Sequence, residues 1–404
     1  MTLSEELSWR GFINQTTFTD IKELDKEKRV FYFGVDPSSD SMTIGNLASA
    51  MFVRHFIDYG YTPILLVGGA TGMIGDPDGK KQERDVRDAA VVEKNTQGLI
   101  RQFSQIFRDQ KFEVVNNKDW FSGIGYIEFL HRIGKHVSMT QLLDRDFIKQ
   151  RIGEGGSGIS YGEFSYALIQ GYDFLHLYRE KGATLQVAGA DQWGNSVTGV
   201  SLIRKLEGVE AHVVTAPLVI NKQTGVKFGK SEAGAVWLDA AKTSPYKFYQ
   251  FWFNIDDEMA QDLIKIYTLL SREEIAAVIE NHQQNPGGRN LQKVLAREVT
   301  ELVHGNERRE SVERVTAVLF GGAGIEHLSE SDLDELAAEI PTLEKGVHAI
   351  EALTETEIAK SNGEARRLIA NGAISLNGKK ITDDILIEEN ALLKKGKNSF
   401  ILVR

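Results

Sequence analysis

The chain has 404 residues, of which 42% are hydrophobic and 26% charged, and this composition excludes a disordered or fibrous protein. Because cysteine is absent, disulfides, thiolate nucleophiles and cysteine-ligated metal sites are excluded as well. The formal net charge of −10 argues against nucleic-acid binding by the whole surface, and the length favours two or three domains.

The N-terminal residues predict a helical segment at about residues 4–25. They lack the basic start and apolar core of a secretory signal. No apolar run is long enough to cross a bilayer. We therefore expect a cytoplasmic protein with no membrane partner.

An aromatic and β-branched run at residues 30–35 predicts a buried strand, and a turn rich in Pro, Ser and Asp follows it. Apolar residues at helical spacing then predict a helix from Ile44 as far as Gly60. The start of such a helix favours an anion, because its N–H groups are exposed and its dipole is positive there. Hydroxyl donors are available from Ser38, Ser39, Ser41 and Thr43. On this stretch alone, a purely structural turn is the alternative interpretation.

A second buried strand is predicted at residues 61–67, and a glycine-rich segment follows it. Five glycines in residues 68–79 would let the backbone approach a ligand closely, and Lys80, Lys81 and Arg84 come next. The segment is typical of phosphate binding. A surface loop with solvated charges is the alternative.

Residues 91–107 predict a helix, and residues 112–115 a short strand. Residues 124–152 are helical and mixed in charge, which suits an insertion or an oligomer contact. On the helix at residues 164–175, three polar side chains share one face at spacings of four and three: Tyr166, Gln170 and Asp173. They indicate either a pocket or the rim of a half-exposed helix.

Further strands are predicted at residues 185–189 and 211–215, with a helix from Ala190 to Leu206 between them. Strands that alternate with helices predict a parallel, doubly wound α/β sheet whose ligands lie outside the carboxyl ends of the strands. The glycine-rich and polar turns described above all fall at such ends.

The second half of the chain begins with a polar loop at residues 221–231, which carries two lysines three residues apart. Such lysines suit a phosphate chain, although an ordinary surface loop is the alternative. Residues 244–320 predict helices, and the acidic stretch at 321–346 predicts a linker. From Val347 to Arg404 there are nine Lys/Arg against eight Asp/Glu, so this small α+β module is where a polyanion would bind.

Together these segments resemble the bacterial tyrosyl-tRNA synthetases, which are class I aminoacyl-tRNA synthetases, over essentially the whole chain. The family's HIGH signature resembles residues 34–46, and its KMSKS signature resembles residues 227–231. The glycine-rich segment, the helix with Tyr166 and the turn at residues 189–195 occur in the family's order. The resemblance implies a Rossmann-like catalytic domain, a helical domain and a tail similar to the S4 RNA-binding module.

The resemblance implies a role for each matching residue in binding L-tyrosine. Tyr32 and Asp173 would bind the phenolic hydroxyl of the substrate. Asp76, Tyr166 and Gln170 would hold its α-ammonium group, and Gln192 would lie near the reacting carboxylate.

The same resemblance implies an ATP site. The nucleotide would be lined by Gly34, Asp36, Ser38, Gly45, Asn46, Gly189, Asp191 and Lys230. The catalytic groups around the phosphates would be Lys227, Lys230, Thr43, Asn46, Lys80 and Arg84. Magnesium would accompany ATP, and no resident metal or tightly bound cofactor is expected.

For the remaining partners, the resemblance implies a homodimer and tRNA(Tyr), and the basic tail suggests Arg366, Arg367, Lys379 and Lys380 as tRNA contacts. The expected domains are a catalytic domain at 1–220 with a helical insertion at about 121–160, the signature loop and helical domain at 221–320, a linker at 321–346 and an S4-like module at 347–404.

The chain departs from the family at the HIGH signature, where Thr43 and Asn46 replace two histidines. Asparagine can still donate a hydrogen bond, but threonine reaches less far than histidine. Two alternatives therefore remain open. A tryptophan-activating relative is disfavoured by Tyr32 and Asp173, because indole has no hydroxyl, and a non-catalytic RNA-binding protein is disfavoured by Asp76, Asp191 and the two loop lysines.

Overall fold

The computed structural model describes residues 1–76, 88–108, 110–143, 146–221, 225, 228–231 and 234–404. The chain forms two compact units. The larger contains Met1–Thr243 and Asn254–Leu295, and the smaller contains Ser244–Phe253 and Ala296–Arg404.

The strands are β1 Gln15–Thr16, β2 Val30–Val35, β3 Thr62–Val67, β4 Glu113–Asn116, β5 Ala183–Gly189, β6 His212–Ala216, β7 Lys230–Ser231, β8 Gly234–Ala235, β9 Thr342–Leu343, β10 Val347–His348, β11 Ile374–Leu376, β12 Lys379–Lys380, β13 Leu386–Ile387, β14 Ala391–Lys395 and β15 Ser399–Val403.

The α-helices are α1 Leu3–Arg10, α2 Ile44–Asp58, α3 Thr71–Ile74, α4 Ala89–Phe107, α5 Lys118–Phe121, α6 Tyr126–Arg132, α7 Met139–Leu143, α8 Asp146–Ile152, α9 Tyr161–Lys181, α10 Trp193–Glu207, α11 Pro245–Phe253, α12 Asp257–Tyr267, α13 Arg272–Gln284, α14 Asn290–His304, α15 Asn306–Phe320, α16 Glu330–Ala337, α17 Ala349–Glu355 and α18 Asn362–Ala370.

The larger unit is built on a six-stranded sheet in the order β1-β6-β5-β2-β3-β4. All its neighbouring pairs are parallel except β1 with β6, so the predicted parallel α/β sheet is confirmed and has one short antiparallel edge strand. The chain order reverses at β2, which lies between β3 and β5. This switch point is where an open α/β sheet leaves a crevice for a ligand.

Alternate side chains of β2 pack on opposite faces of the sheet, as the period of a strand requires. Phe31 contacts Phe56 of α2, with ring centroids 5.3 Å apart. Tyr32 contacts Phe174 of α9, at 5.1 Å. Helices therefore cover both faces of the strand, which is why its sequence is apolar throughout.

The N-terminal prediction was wrong in extent. The first helix ends at Arg10, because Gly11 adopts a left-handed conformation (φ 83°) and its N–H closes the last turn onto the carbonyls of Leu7 and Ser8. A 3₁₀ helix, Ile21–Lys26, follows β1. The single helix predicted at about residues 4–25 is thus three short elements.

Helices α12 and α13 belong to the larger unit, whereas the sequence placed them in a separate helical domain. The buried guanidinium of Arg10 explains this assignment. It donates to the carbonyl oxygens of Lys265 (2.6 Å), Thr268 (2.9 Å) and Leu270 (2.6 Å) just beyond α12. These bonds satisfy carbonyl groups at a helix end and tie them to α1.

In the smaller unit, a five-stranded sheet in the order β12-β11-β14-β15-β9 accompanies the two-stranded pair β10-β13. The linker predicted at residues 321–346 is structured instead. It contains α16 and also β9, which pairs with β15. Leu333 and Leu336 share an apolar core with Leu402.

Among the described residues, none of the helices combines the length and the apolarity that a membrane crossing requires.

Candidate active site

A buried carboxylate and a buried phenol face one another beneath the switch point. Asp173 of α9 and Tyr32 of β2 are each 1% exposed. The Asp173 carboxylate accepts hydrogen bonds from Trp120 Nε1 (2.9 Å) and Asn117 Nδ2 (3.2 Å). The Tyr32 hydroxyl has no hydrogen-bond partner among the described residues. A buried hydroxyl in this state is a place where a polar ligand atom can bind.

Burial dominates the electrostatics of this pair. It raises the pKa of Asp173 to about 8, against the lowering effect of the hydrogen bonds from Asn117 and Trp120. Burial, and then the charge of Asp173, raises the pKa of Tyr32 well above its ordinary value. The phenol therefore keeps its proton and can donate it to a ligand oxygen.

Asp36, just after β2, links this pair to the next polar group. Its carboxylate accepts from the Thr71 hydroxyl and from the Tyr166 hydroxyl, both at 2.7 Å. The Thr71 oxygen in turn accepts from Asn117 Nδ2 at 3.1 Å. A continuous chain of hydrogen bonds therefore runs from Tyr166 to Asp173 and fixes the orientation of each side chain.

The first glycines after β3 make room for this chain. A Cβ atom at Gly68 would lie 2.1 Å from Asp36 Oδ1 and 2.2 Å from Thr71 Oγ1. At Gly69 it would lie 2.2 Å from Asn116 Oδ1. The glycine-rich segment predicted to let the backbone approach a ligand thus also lets it approach the site's own polar side chains.

Negative charge surrounds the Tyr166 hydroxyl. Burial raises its pKa well above the usual value, and the charges of Asp36, Asp76 and Asp173 add to the effect. Asp76 Oδ2 accepts from Gln192 Nε2 at 2.5 Å, and Gln192 Oε1 accepts from Asn195 Nδ2 at 3.3 Å. The negative potential of this site favours a cationic group on the ligand.

One face of α4 holds the turn between β2 and α2. Asn95 Nδ2 donates to the Pro37 carbonyl (2.9 Å), and Gln102 Oε1 accepts from the Met42 N–H (2.6 Å). A Cβ at Gly98 would lie 2.0 Å from the Asp40 carbonyl oxygen. The turn therefore lies directly on the helix, where its conformation is fixed from one side.

The described part of the second signature packs on the start of α2. A Cβ at Gly229, whose φ is 103°, would lie 2.8 Å from Ile44 Cγ1 and 3.2 Å from the Gly45 nitrogen. The Ile44 carbonyl accepts from the Tyr267 hydroxyl at 3.0 Å. The two signatures, which are nearly 200 residues apart in sequence, thus meet at one point.

Most residues predicted to bind tyrosine lie together in this site. Tyr32, Asp76, Tyr166, Asp173 and Gln192 are joined by the hydrogen bonds and charge effects above, and Gln170 is half-buried on the same helix face as Tyr166 and Asp173.

The residues predicted to bind ATP lie at the carboxyl ends of β2 and β5 and at the start of α2. Gly34 is exposed near the end of β2, and Ser38 is exposed in the turn that follows. Gly45 and Asn46 lie in the first turn of α2. Gly189 ends β5, and a Cβ there would lie 2.7 Å from Asp191 Oδ1.

Some predictions fall outside the described residues, namely those for Lys80, Arg84 and Lys227. Of Lys230 only the backbone, in β7, is described. Within the described part of the chain, no group of three or more His, Cys, Asp or Glu side chains could hold a metal ion.

Sequence reasoning missed the groups that orient the predicted ones. Asn117 is 0% exposed and Trp120 is partly buried, and both bind Asp173. Their position at the end of a predicted strand was the available signal, because carboxyl ends of parallel strands meet at one edge of the sheet.

Comparisons with known proteins agree with this geometry. Residues 24–321 match the class I tRNA synthetases for tryptophan and tyrosine, and residues 332–404 match the C-terminal domain of tyrosine–tRNA ligases. The tyrosine–tRNA ligase of Limosilactobacillus fermentum is 40% identical over 100% of this chain and 99% of its own. That of Staphylococcus haemolyticus is 43% identical over 99% and 98%.

A solved structure shares the architecture as well. The C-terminally truncated mitochondrial tyrosyl-tRNA synthetase of Aspergillus nidulans superposes with a TM-score of 0.71 at 27% identity, covering 79% of this chain and 94% of its own. The chain therefore belongs to the class I tRNA synthetases for tryptophan and tyrosine, and within them to the tyrosine–tRNA ligases.

Proposed function

We propose that this chain activates L-tyrosine with ATP and transfers it to the 3′ end of tRNA(Tyr). The observation that carries the proposal is the buried pair Tyr32 and Asp173. A phenolic hydroxyl placed between them would accept from Tyr32 and donate to the Asp173 carboxylate. Phenylalanine, which has no hydroxyl, would leave both groups buried and unpaired.

Tyrosine-dependent exchange of pyrophosphate into ATP tests this proposal. We expect exchange with tyrosine, and none above background with tryptophan or phenylalanine at equal concentration. Exchange with tryptophan instead would assign the chain to the sister specificity. Absence of exchange with every amino acid would support the non-catalytic alternative.

The chemistry asks the protein to position its substrates and to stabilise charge. A carboxylate oxygen of tyrosine attacks the α-phosphorus of ATP, the bond to the β-phosphate oxygen breaks, and pyrophosphate leaves with the electron pair. The nucleophile belongs to the substrate, so proximity and electrostatic stabilisation supply the rate. ATP enters with Mg²⁺ as part of the substrate.

Each group of residues has a place in this scheme. Asp76, Tyr166 and Gln170 hold the α-ammonium group, and Gln192 lies by the reacting carboxylate. Tyr166 donates its proton to Asp36, so its oxygen remains able to accept from the ammonium. The ends of β2 and β5 line the nucleotide, and Lys80, Arg84, Lys227 and Lys230 neutralise the departing pyrophosphate.

The tail supplies the tRNA-binding surface in this proposal. Arg366 and Arg367 on α18 and Lys379 and Lys380 on β12 are all exposed. The stem of Lys380 lies beside Gly372 at the end of α18, because a Cβ there would be 3.5 Å from Lys380 Cδ. Helix and hairpin are thus adjacent, which suits binding along a phosphate backbone in the cytoplasm, where tRNA is charged.

Replacing these four basic residues with alanine should weaken tRNA charging and leave tyrosine-dependent exchange unchanged. The salt dependence of tRNA binding should flatten by up to roughly 3 units of log–log slope, because fewer counterions are released. Filter binding at several salt concentrations measures this slope. Lys22→Ala with Lys26→Ala, exposed in the other unit, is the matched control, and an equal effect there would contradict a specific role for the tail.

Substitution is a cleaner test than truncation. Leu392, Phe400 and Leu402 of β14 and β15 pack against Leu319 of α15 and Leu336 of α16. Deleting residues 347–404 would expose that apolar surface, so a loss of activity could not be assigned to lost RNA contacts.

The insertion at residues 124–161 supports a homodimer. The exposed large hydrophobic residues of the described chain are concentrated here: Tyr126, Ile127, Met139, Leu143, Ile152 and Tyr161. Tyr126 donates a hydrogen bond to the Tyr161 hydroxyl at 3.2 Å, which keeps the two rings together. A contiguous apolar patch of this kind is typical of a protein–protein interface.

Ile127→Glu should convert a dimer to a monomer, because Ile127 is 75% exposed and a glutamate there would be buried without a partner on association. Sedimentation equilibrium measures the change. Leu269→Glu, at a site 44% exposed outside the insertion, should leave the dimer intact. A parent protein that stays monomeric at micromolar concentration would contradict the dimer itself.

A further inference from the structure

The side chains that replace the two histidines of the first signature contact each other. Thr43 precedes α2 in extended conformation, and Asn46 is the third residue of the helix. The backbone N–H of Thr43 donates to Asn46 Oδ1 at 3.0 Å, and the Thr43 hydroxyl donates to the same oxygen at 3.0 Å.

These two bonds determine which way the Asn46 amide faces. A backbone N–H can only donate, so its partner on Asn46 must be the carbonyl oxygen and not the amide nitrogen. The hydroxyl proton of Thr43 is used on that oxygen as well. The Asn46 NH₂ group is therefore turned away from Thr43, with both hydrogens available.

The backbone beneath this pair is held on several sides. The Ile44 N–H donates to the Val236 carbonyl at 3.1 Å, and the Ile44 carbonyl accepts from Tyr267. The Asn46 N–H donates to the Thr43 carbonyl at 2.9 Å. Rotation of the exposed Asn46 side chain is thus the main freedom left at the helix start, and the contact with Thr43 restricts it.

We propose that Thr43 is a positioning residue, which acts through Asn46 and does not itself donate to the phosphates. Thr43 holds the amide so that Nδ2 faces the nucleotide, and Nδ2 donates to an oxygen of ATP during activation. This inference rests on the proposed function, and it reassigns the role that the family resemblance implied for position 43.

A double-mutant cycle tests the coupling in the full-length enzyme. Thr43→Val keeps the branched shape and removes the hydroxyl, and we expect it to slow pyrophosphate exchange at saturating ATP by roughly 3- to 10-fold. Asn46→Ala should cost at least as much. The double variant should be no slower than Asn46→Ala alone, because Thr43 has nothing left to orient. Losses that multiply would overturn the proposal, since they would show that Thr43 contacts the substrate directly.

Two further variants separate orientation from folding. Thr43→Ser keeps the hydroxyl and should restore most of the rate. Asn46→Asp keeps an acceptor for both Thr43 donors but offers ATP no N–H, so it should be as slow as Asn46→Ala despite an intact contact. Parent-like exchange by Asn46→Asp would overturn the proposal.

Tyrosine binding, measured by equilibrium dialysis without ATP, should match the parent in all four variants because the tyrosine site lies elsewhere. A parent enzyme with no exchange activity would refute the proposed function. An active parent with multiplicative losses would refute only this inference.

Discussion

Asp173→Ala should abolish tyrosine activation, with pyrophosphate exchange falling by at least the cost of one buried charged hydrogen bond. The variant removes the acceptor for the substrate hydroxyl and also leaves Trp120 Nε1 and Asn117 Nδ2 without their partner. A hydrogen bond to a charged group is worth about 1.5–3 kcal/mol, and each unpaired buried group costs about 1–3 kcal/mol more. Exchange assayed over a wide range of tyrosine concentration measures the loss in kcat/KM.

Discrimination against phenylalanine gives the same prediction from the ligand's side. Tyrosyl-tRNA synthetases are themselves the familiar example of rejecting a substrate that lacks one hydroxyl, by roughly 10⁵-fold, and that figure is the class value. In Asp173→Ala the ratio of kcat/KM for tyrosine over phenylalanine should collapse. Asp119→Ala removes an exposed carboxylate close by in sequence and should keep the ratio. An unchanged ratio in Asp173→Ala would remove Asp173 from the site.

The pH dependence of stability is an independent check on Asp173. Its pKa is raised on folding to about 8 from an ordinary value of 3.8, so the folded state holds the proton where the unfolded state has lost it. The stabilisation is complete below about pH 4 and disappears as the pH rises through about 8. Relative to parent, Asp173→Ala should therefore gain stability as the pH rises across that window in urea unfolding. A flat difference would show that Asp173 is ionised throughout.

The sequence was most informative where chemistry and strand ends coincide. Tyr32 and Asp173 could be predicted because a parallel sheet collects the carboxyl ends of its strands at one edge. Asn117 and Trp120 could not, because the partners of a buried carboxylate depend on how α5 packs on α9, and their own sequence carries no periodic signal. Function was thus readable before the packing that orients it.

The segment at residues 321–346 shows the opposite error. Its acidic residues suggested a solvated linker, yet Asp332 is 0% exposed and accepts two hydrogen bonds from Arg314, at 2.8 and 2.9 Å. Ser311 donates to Glu335 at 3.1 Å. Charge in a sequence indicates a solvated surface only when no partner exists elsewhere in the chain, and a single sequence does not reveal the partner.

Asp76→Asn should reduce kcat/KM for tyrosine by roughly 10- to 150-fold, since a charge-assisted hydrogen bond to the α-ammonium group is worth about 1.5–3 kcal/mol. Asparagine keeps the shape and an oxygen for the Gln192 amide, which now donates to Asp76 Oδ2 at 2.5 Å. The lost term is therefore the charge. The negative potential around Tyr166 should weaken with it, because the charge of Asp76 is one of the causes of the raised Tyr166 pKa.

A ligand without the ammonium group isolates this interaction. The parent should bind 3-(4-hydroxyphenyl)propionate more weakly than tyrosine, because the compound keeps the hydroxyl for Tyr32 and Asp173 but offers nothing to Asp76. Competition against tyrosine in the exchange assay measures both affinities. In Asp76→Asn the affinity for tyrosine should fall, and that for the propionate should stay level or rise as a buried negative charge is removed. Equal losses for the two ligands would show that Asp76 shapes the pocket and does not recognise the ammonium.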